Sequence, residues 1–135
     1  MLISNSTQIN VSSEKIWNTL KSFRGVENYL PIVTKSVVEG SGQGSKRTCD
    51  VSIGNHSFQI IETLEIIDES NHTLTVFLNE GPVQIKGMKF TFVVKSQGEN
   101  TSEVTINTNV ENPDAASMAK SIFSMMGQGL KKLYE

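Results

Sequence analysis

Glu62 is the side chain in this sequence best placed to do chemistry: a carboxylate whose alternate neighbours Phe58, Ile60 and Leu64 are all apolar. If that side of the strand faces inward, desolvation suits the carboxylate to acid–base work on a bound molecule. If it faces outward, Glu62 is an exposed or ion-paired strand residue. Parity alone does not choose between them, because the opposite side, Gln59, Ile61, Thr63, Glu65 and Ile67, is mixed as well. The catalytic assignment therefore stays unknown, with Glu62 as the best candidate. Cys49 is the only cysteine, which excludes an intramolecular disulfide and a cysteine metal cluster. With no histidine near it in sequence, it reads as a small core residue rather than a nucleophile. His56 falls in a turn and His72 at a strand start; nothing in their spacing matches paired metal ligands, so no metal site is expected. No Gly-x-Ser-x-Gly or dinucleotide fingerprint occurs, and Gly40-Ser-Gly42-Gln-Gly44 leads into a strand instead of the helix a phosphate loop requires, so no cofactor is expected.

The elements that must hold these groups are legible from periodicity. Leu2 to Ile9 reads as a first strand. A helix follows, with Ser12 as N-cap, Val11 stapling against Ile16, and Ile16, Trp17, Leu20 and Phe23 as its apolar stripe. A second short helix or turn, Val26 to Leu30, is cut off by Pro31. Six strands come next, bounded by turn residues: Ile32–Glu39, Ser45–Ile53, Ser57–Ile67, His72–Asn79, Gln84–Ser96 and Thr101–Val110. Asn112 and Pro113 open a long helix, Pro113 to Glu135. Ala115, Ala119, Ile122, Met126 and Leu133, with Met118, Met125 and Leu130 beside them, form its broad apolar face. Gly127 and Gly129 within it imply close backbone packing, a pliable helix, or termination at Gly127. The order is α+β, a single domain over residues 1–135 with helices on one face of an antiparallel sheet.

Composition narrows the function. The 12 basic and 14 acidic residues of the 135 nearly balance, and no run of Lys or Arg forms the stripe that nucleic acid binding needs, so no nucleic acid partner is expected. No stretch approaches the roughly eighteen apolar residues of a membrane span, and no signal-like segment opens the chain. A cytoplasmic protein is the expectation.

At this point the residues resemble a known family, the helix-grip proteins, also called START-like or Bet v 1-like, in their polyketide cyclase/dehydrase-like branch. The resemblance covers nearly the whole chain. It rests on Val11-Ser-Ser-Glu-Lys-Ile-Trp17 after the first strand, on Gly42-Gln-Gly44-Ser-Lys-Arg47 running into a strand, on Ile61-Glu62-Thr-Leu64-Glu-Ile-Ile-Asp68, on Gly81-Pro82, and on Gly129-Leu130-Lys-Lys-Leu133. It implies a seven-stranded curved antiparallel sheet gripping the C-terminal helix around an apolar pocket, with two short helices between strands 1 and 2. In the plant abscisic-acid receptors of this superfamily, a pocket lysine and a pocket glutamate match Lys35 and Glu62. Their gate and latch loops, however, are replaced by Ile53-Gly54-Asn55-His56 and Val83-Gln84-Ile85, so a hormone-receptor role is not implied.

The resemblance turns Glu62 inward and makes Lys35 its counter-charge or a ligand contact. The expected function is binding, and by extension transport, of a small hydrophobic or amphipathic molecule such as a lipid, isoprenoid or aromatic polyketide. The ligand-binding candidates are Lys35, Phe58, Ile60, Glu62, Leu64, Phe77, Met88, Phe90, Met118, Ile122, Met125 and Met126, with access at Gly54–Ser57 and Glu80–Val83. A cyclase/dehydratase-like enzyme using Glu62 is the alternative, and a protein-interaction module without ligand the second.

Overall fold

A computed structural model describes Met1–Glu135. Its strands are β1 (Leu2–Ile9), β2 (Val33–Glu39), β3 (Lys46–Ile53), β4 (His56–Asp68), β5 (Thr73–Glu80), β6 (Lys89–Gly98) and β7 (Thr101–Asn109), with α1 (Ser13–Ser22) and a 3-10 turn (Val26–Asn28) between β1 and β2, and α2 (Pro113–Tyr134) at the end. The strands form one seven-stranded antiparallel sheet in the order β1-β7-β6-β5-β4-β3-β2. β2 to β7 are a meander, because their connections are too short for anything but neighbouring antiparallel pairing. β1 closes back beside β7, so α1 and the 3-10 turn carry the chain from one edge of the sheet to the other. This is the helix-grip architecture, except that the second short helix is a single 3-10 turn.

Local chemistry explains the element ends. Ser12 accepts a hydrogen bond from the Lys15 amide at 3.4 Å and caps α1; Asn112 accepts one from the Ala115 amide at 2.9 Å and caps α2, with Pro113 in its first turn. β6 begins at Lys89, not at Gln84. Pro82 starts two successive turns there, its carbonyl taking the amides of Ile85 and Lys86 at 3.0 and 2.9 Å, and Gly87 takes φ 85°. Those amides are spent locally and cannot join a ladder. β5 likewise starts one residue late, because His72 adopts φ 46°.

The inner face of the sheet and the helices enclose a core of Ile3, Ile9, Trp17, Leu64, Leu74, Val76, Val104, Ile106, Phe123 and Leu130 among others. α2 is unbroken through both glycines. A Cβ at Gly127 would lie 2.2 Å from Thr7 Oγ1 on β1, and one at Gly129 only 1.7 Å from the Tyr29 carbonyl oxygen. Close approach is thus the reason for the glycines, with the helix backbone pressed on β1 at one and on the end of the 3-10 turn at the other. Two positions differ from the periodicity reading. Leu133 is 44% exposed, while Phe123 is buried and meets Phe90 edge-to-face at 5.8 Å. On β4, the register shifts between Leu64 and Ile66, which turns Ile66 outward and Ile67 onto the core.

Candidate functional site

Glu62 faces inward. The β3–β4 hairpin pairs Ile53 with His56 and, further along, Arg47 with Glu62, so Arg47, Cys49 and Val51 lie opposite Glu62, Ile60 and Phe58 on one face. Arg47 and Glu62 are both buried, 5% and 8% exposed. The guanidinium donates to Glu62 Oε1 from Nε at 3.0 Å, and its Nη2 lies 2.9 Å from the same oxygen in an ion pair; the Cys49 thiol points at that oxygen too at 3.8 Å. Oε2 receives none of these bonds.

Arg47 is held on its other side by α1. Its Nη1 donates to the Phe23 carbonyl at 3.3 Å, and its guanidinium lies 4.0 Å from the centre of the Phe23 ring. Phe23 is the C-cap of α1 with φ 64°, a left-handed conformation that turns ring and carbonyl toward the sheet. A cation at the end of a helix also meets the negative end of its dipole. Burial pulls the Arg47 pKa down, yet the neighbouring Glu62, Tyr29 and Cys49 carry it above the ordinary value overall. Burial pushes the Tyr29 phenol up, with Arg47 pulling the other way. Burial also pushes the Cys49 thiol up to about 12, which keeps it in the protonated, unreactive form.

Around this pair the structure gathers some of the candidate lining residues and separates others. Leu64 and Met126 are buried; Phe58, Ile60, Met88, Phe90, Ile122 and Met125 are half-buried against the core. Met118 is half-buried on α2. Lys35 is not beside Glu62. The β2 register shifts between Val33 and Lys35, so Lys35 pairs with Asp50 on the outer face while Ser36 and Val38 face inward opposite Cys49 and Arg47. Phe77 is also on the outer face, between Thr63 and Lys89 in the ladder, because Leu74, Val76 and Leu78 take the inward parity of β5. His72 stacks on Trp17 at 4.9 Å and its Nε2 lies 3.5 Å from Glu14; His56 is exposed at the start of β4.

Sequence reasoning missed Arg47, Tyr29 and Phe23. A signal for Arg47 was present: with Gly54-Asn55 as a two-residue hairpin turn, stepping back equally along both strands from Ile53 and His56 brings Arg47 opposite Glu62.

Side chains fill most of the space between sheet and α2. An internal void of about 10 Å³ remains, lined by Leu20, Phe23, Tyr29, Arg47, Leu74, Val76, Phe92 and Met126, so Arg47 is its one charged wall. That is room for about one water molecule. A larger cleft of about 300 Å³ opens at the surface between the 3-10 turn and the end of α2, lined by Glu27, Asn28, Tyr29, Pro31, Gly129, Lys132 and Leu133.

Residues 2–135 match the family model described as polyketide cyclase / dehydrase and lipid transport. The abscisic acid receptor PYL10 of Arabidopsis thaliana is 27% identical over 84 residues, which is 61% of this chain and 46% of the receptor, so the match spans less than half of that protein. Among solved structures, an uncharacterized protein from Bacillus thuringiensis superposes with a TM-score of 0.84 at 22% identity, covering 99% of this chain and 98% of its own. The Zhui aromatase/cyclase of Streptomyces sp. R1128 superposes at 0.75 with 11% identity, over 99% of this chain and 90% of the cyclase. Identities that low speak to the fold alone.

Proposed function

This chain belongs to the polyketide cyclase/dehydrase and lipid transport family, and we propose that it binds a small apolar or amphipathic molecule between the sheet and α2, with Arg47 and Glu62 meeting the molecule's polar end. One observation carries this reading: Arg47, ion-paired with Glu62, is the single charged residue lining an otherwise apolar void, and none of the contacts to Glu62 reaches its Oε2. A buried ion pair adds little stability over apolar residues of the same volume. An acceptor oxygen beside a fixed guanidinium suits a ligand hydroxyl, which donates to it.

The void of about 10 Å³ is far smaller than any such ligand. Binding therefore requires side chains to move aside, and Met126, Met125 and Met88 are suited to that, being unbranched and readily repacked. Phe58, Ile60, Leu64, Phe90, Met118 and Ile122 complete the apolar wall in this reading. Native mass spectrometry of the protein purified from cells tests it directly. A retained small molecule, lost from Glu62→Leu, is the expected result; no retained molecule and no saturable binding of fatty alcohols, isoprenols or polyphenols overturns it.

A second reading, a cyclase/dehydratase-like enzyme, draws on the same free oxygen. Glu62, held in place by Arg47, would be its acid–base group. Turnover of a polyketide-like substrate that Glu62→Gln abolishes while binding persists would establish it.

A further inference from the structure

The outer cleft and the inner void have one residue in common, Tyr29. Its residue surface is 3% exposed, and it follows directly on the 3-10 turn, with its amide bonded to the Val26 carbonyl at 3.1 Å. On the outer side the wall continues with Asn28, Pro31 and Gly129; on the inner side it continues with Phe23, Arg47 and Met126. Tyr29 is thus the one residue that lies between the surface cleft and the void beside Arg47.

Resting on the binding reading above, we propose that Tyr29 is the gate of the ligand site: its ring swings into the cleft, joins cleft to void, and admits the ligand between the 3-10 turn and the last turns of α2. The expected access at Gly54–Ser57 and Glu80–Val83 is then not the route. The local construction favours movement of this ring over movement of the backbone. Gly129 brings the α2 backbone against the Tyr29 carbonyl, where even a Cβ has no room, so the main chain is pinned on that side. Tyr29 itself borders both spaces. The cleft volume of about 300 Å³ accommodates a displaced phenol, and it reaches the lower end of the range for small-molecule sites.

The gate also sets the chemical class. An opening vacated by one phenol ring is one ring across, so the ligand is a slender molecule, a single acyl or isoprenoid chain or one flat ring system entering end-on. Glu27, Asn28 and Lys132 at the outer mouth keep whatever polar end remains outside in contact with charge and water.

Stopped-flow fluorescence with dansylaminoundecanoic acid, a single-chain probe that brightens on leaving water, tests the gate. Tyr29→Ala is expected to raise both association and dissociation rate constants on the order of tenfold, the effect of lowering a barrier common to both directions. Lys132→Trp, an exposed change that narrows the outer mouth, is expected to slow both. Val83→Trp, on the exposed β5–β6 loop, is expected to change neither. Should Tyr29→Ala fail to fold, Lys132→Trp alone decides. Wild-type protein that does not bind the probe overturns the binding reading and the gate together. Binding with rates untouched by Tyr29→Ala and Lys132→Trp, or altered by Val83→Trp instead, overturns the gate and leaves the binding reading standing.

Discussion

Arg47 and Glu62 face each other across the β3–β4 ladder and are joined at one oxygen, Glu62 Oε1, by a hydrogen bond from Arg47 Nε at 3.0 Å and an ion-pair contact with Nη2 at 2.9 Å. The same guanidinium closes the end of α1 through the Phe23 carbonyl. One side chain thereby ties the first helix to the centre of the meander and holds the carboxylate in place.

Breaking that pair from either side will be unequal. Arg47→Met strands a buried carboxylate and uncaps α1, and is expected to cost about 3–5 kcal/mol in urea denaturation. Glu62→Gln keeps an acceptor for Arg47 and is expected to cost less. The double change Arg47→Met with Glu62→Leu should recover most of the loss; a double variant no more stable than Arg47→Met would show that the α1 contact, not the pair, is what matters.

The two glycines of α2 should resist alanine, against the usual gain of up to about 1 kcal/mol for such a change in a helix. Gly129→Ala meets backbone at the Tyr29 carbonyl and should be the more damaging. Gly127→Ala meets the Thr7 hydroxyl, a side chain, so adding Thr7→Ala should restore much of its stability. Equal losses at the two positions, or no rescue, would count against this packing.

Ser102 is fully buried and its hydroxyl has no hydrogen-bond partner. Leaving such a group unpaired costs about 1–3 kcal/mol. Ser102→Ala is therefore expected to raise the thermal midpoint, and a lowered midpoint would mean that the hydroxyl is satisfied in solution.

Alkaline pH should unfold the protein through Cys49. The ordinary thiol value of 9.0 holds for the unfolded chain, and burial pushes the folded thiol up to about 12. Between these the unfolded chain sheds a proton that the folded one keeps, so this contribution is fully present below about pH 9 and is lost as pH rises toward 12. The raised Tyr29 phenol acts in the same direction. Urea midpoints from pH 8 to 11 should fall, and fall less steeply in Cys49→Ala; parallel curves would refute the assignment. At neutral pH Cys49 should stay unmodified by iodoacetamide until the protein is unfolded.

The meander and the capped helices were readable from local chemistry, whereas the inward turn of Glu62 came from the family resemblance alone. Ser12, Asn112 and Pro113 mark helix starts wherever they stand, because capping is satisfied within one turn. Turn residues bounded the strands within a few positions, and the one large error, β6 starting at Lys89, lies where Pro82 and Gly87 build turns that compete with the ladder. The two-residue turn at Gly54-Asn55 even contained the Arg47–Glu62 register.

The misplaced side chains share a physical cause. Alternation along a strand assigns a face only while the register is unbroken: a bulge near Glu65 separated Ile66 from the face of Leu64, and one near Thr34 put Lys35, placed inward by the resemblance, on the outer face. Phe77 was misplaced differently: its size suggested the core, but Leu74, Val76 and Leu78 already held that side of β5. Whether space remains under α2 was beyond any pattern, since it depends on how closely Gly127 and Gly129 let the helix descend onto Thr7 and Tyr29. Periodicity and capping act within a few residues, so the amino-acid sequence determined the elements, their order and the carboxylate among apolar neighbours. Bulges, close backbone approach and the joint packing of Phe23, Tyr29, Arg47 and Met126 act between distant segments, and they alone set the outward turn of Lys35, the small void beside Arg47 and the place of Tyr29 between void and cleft.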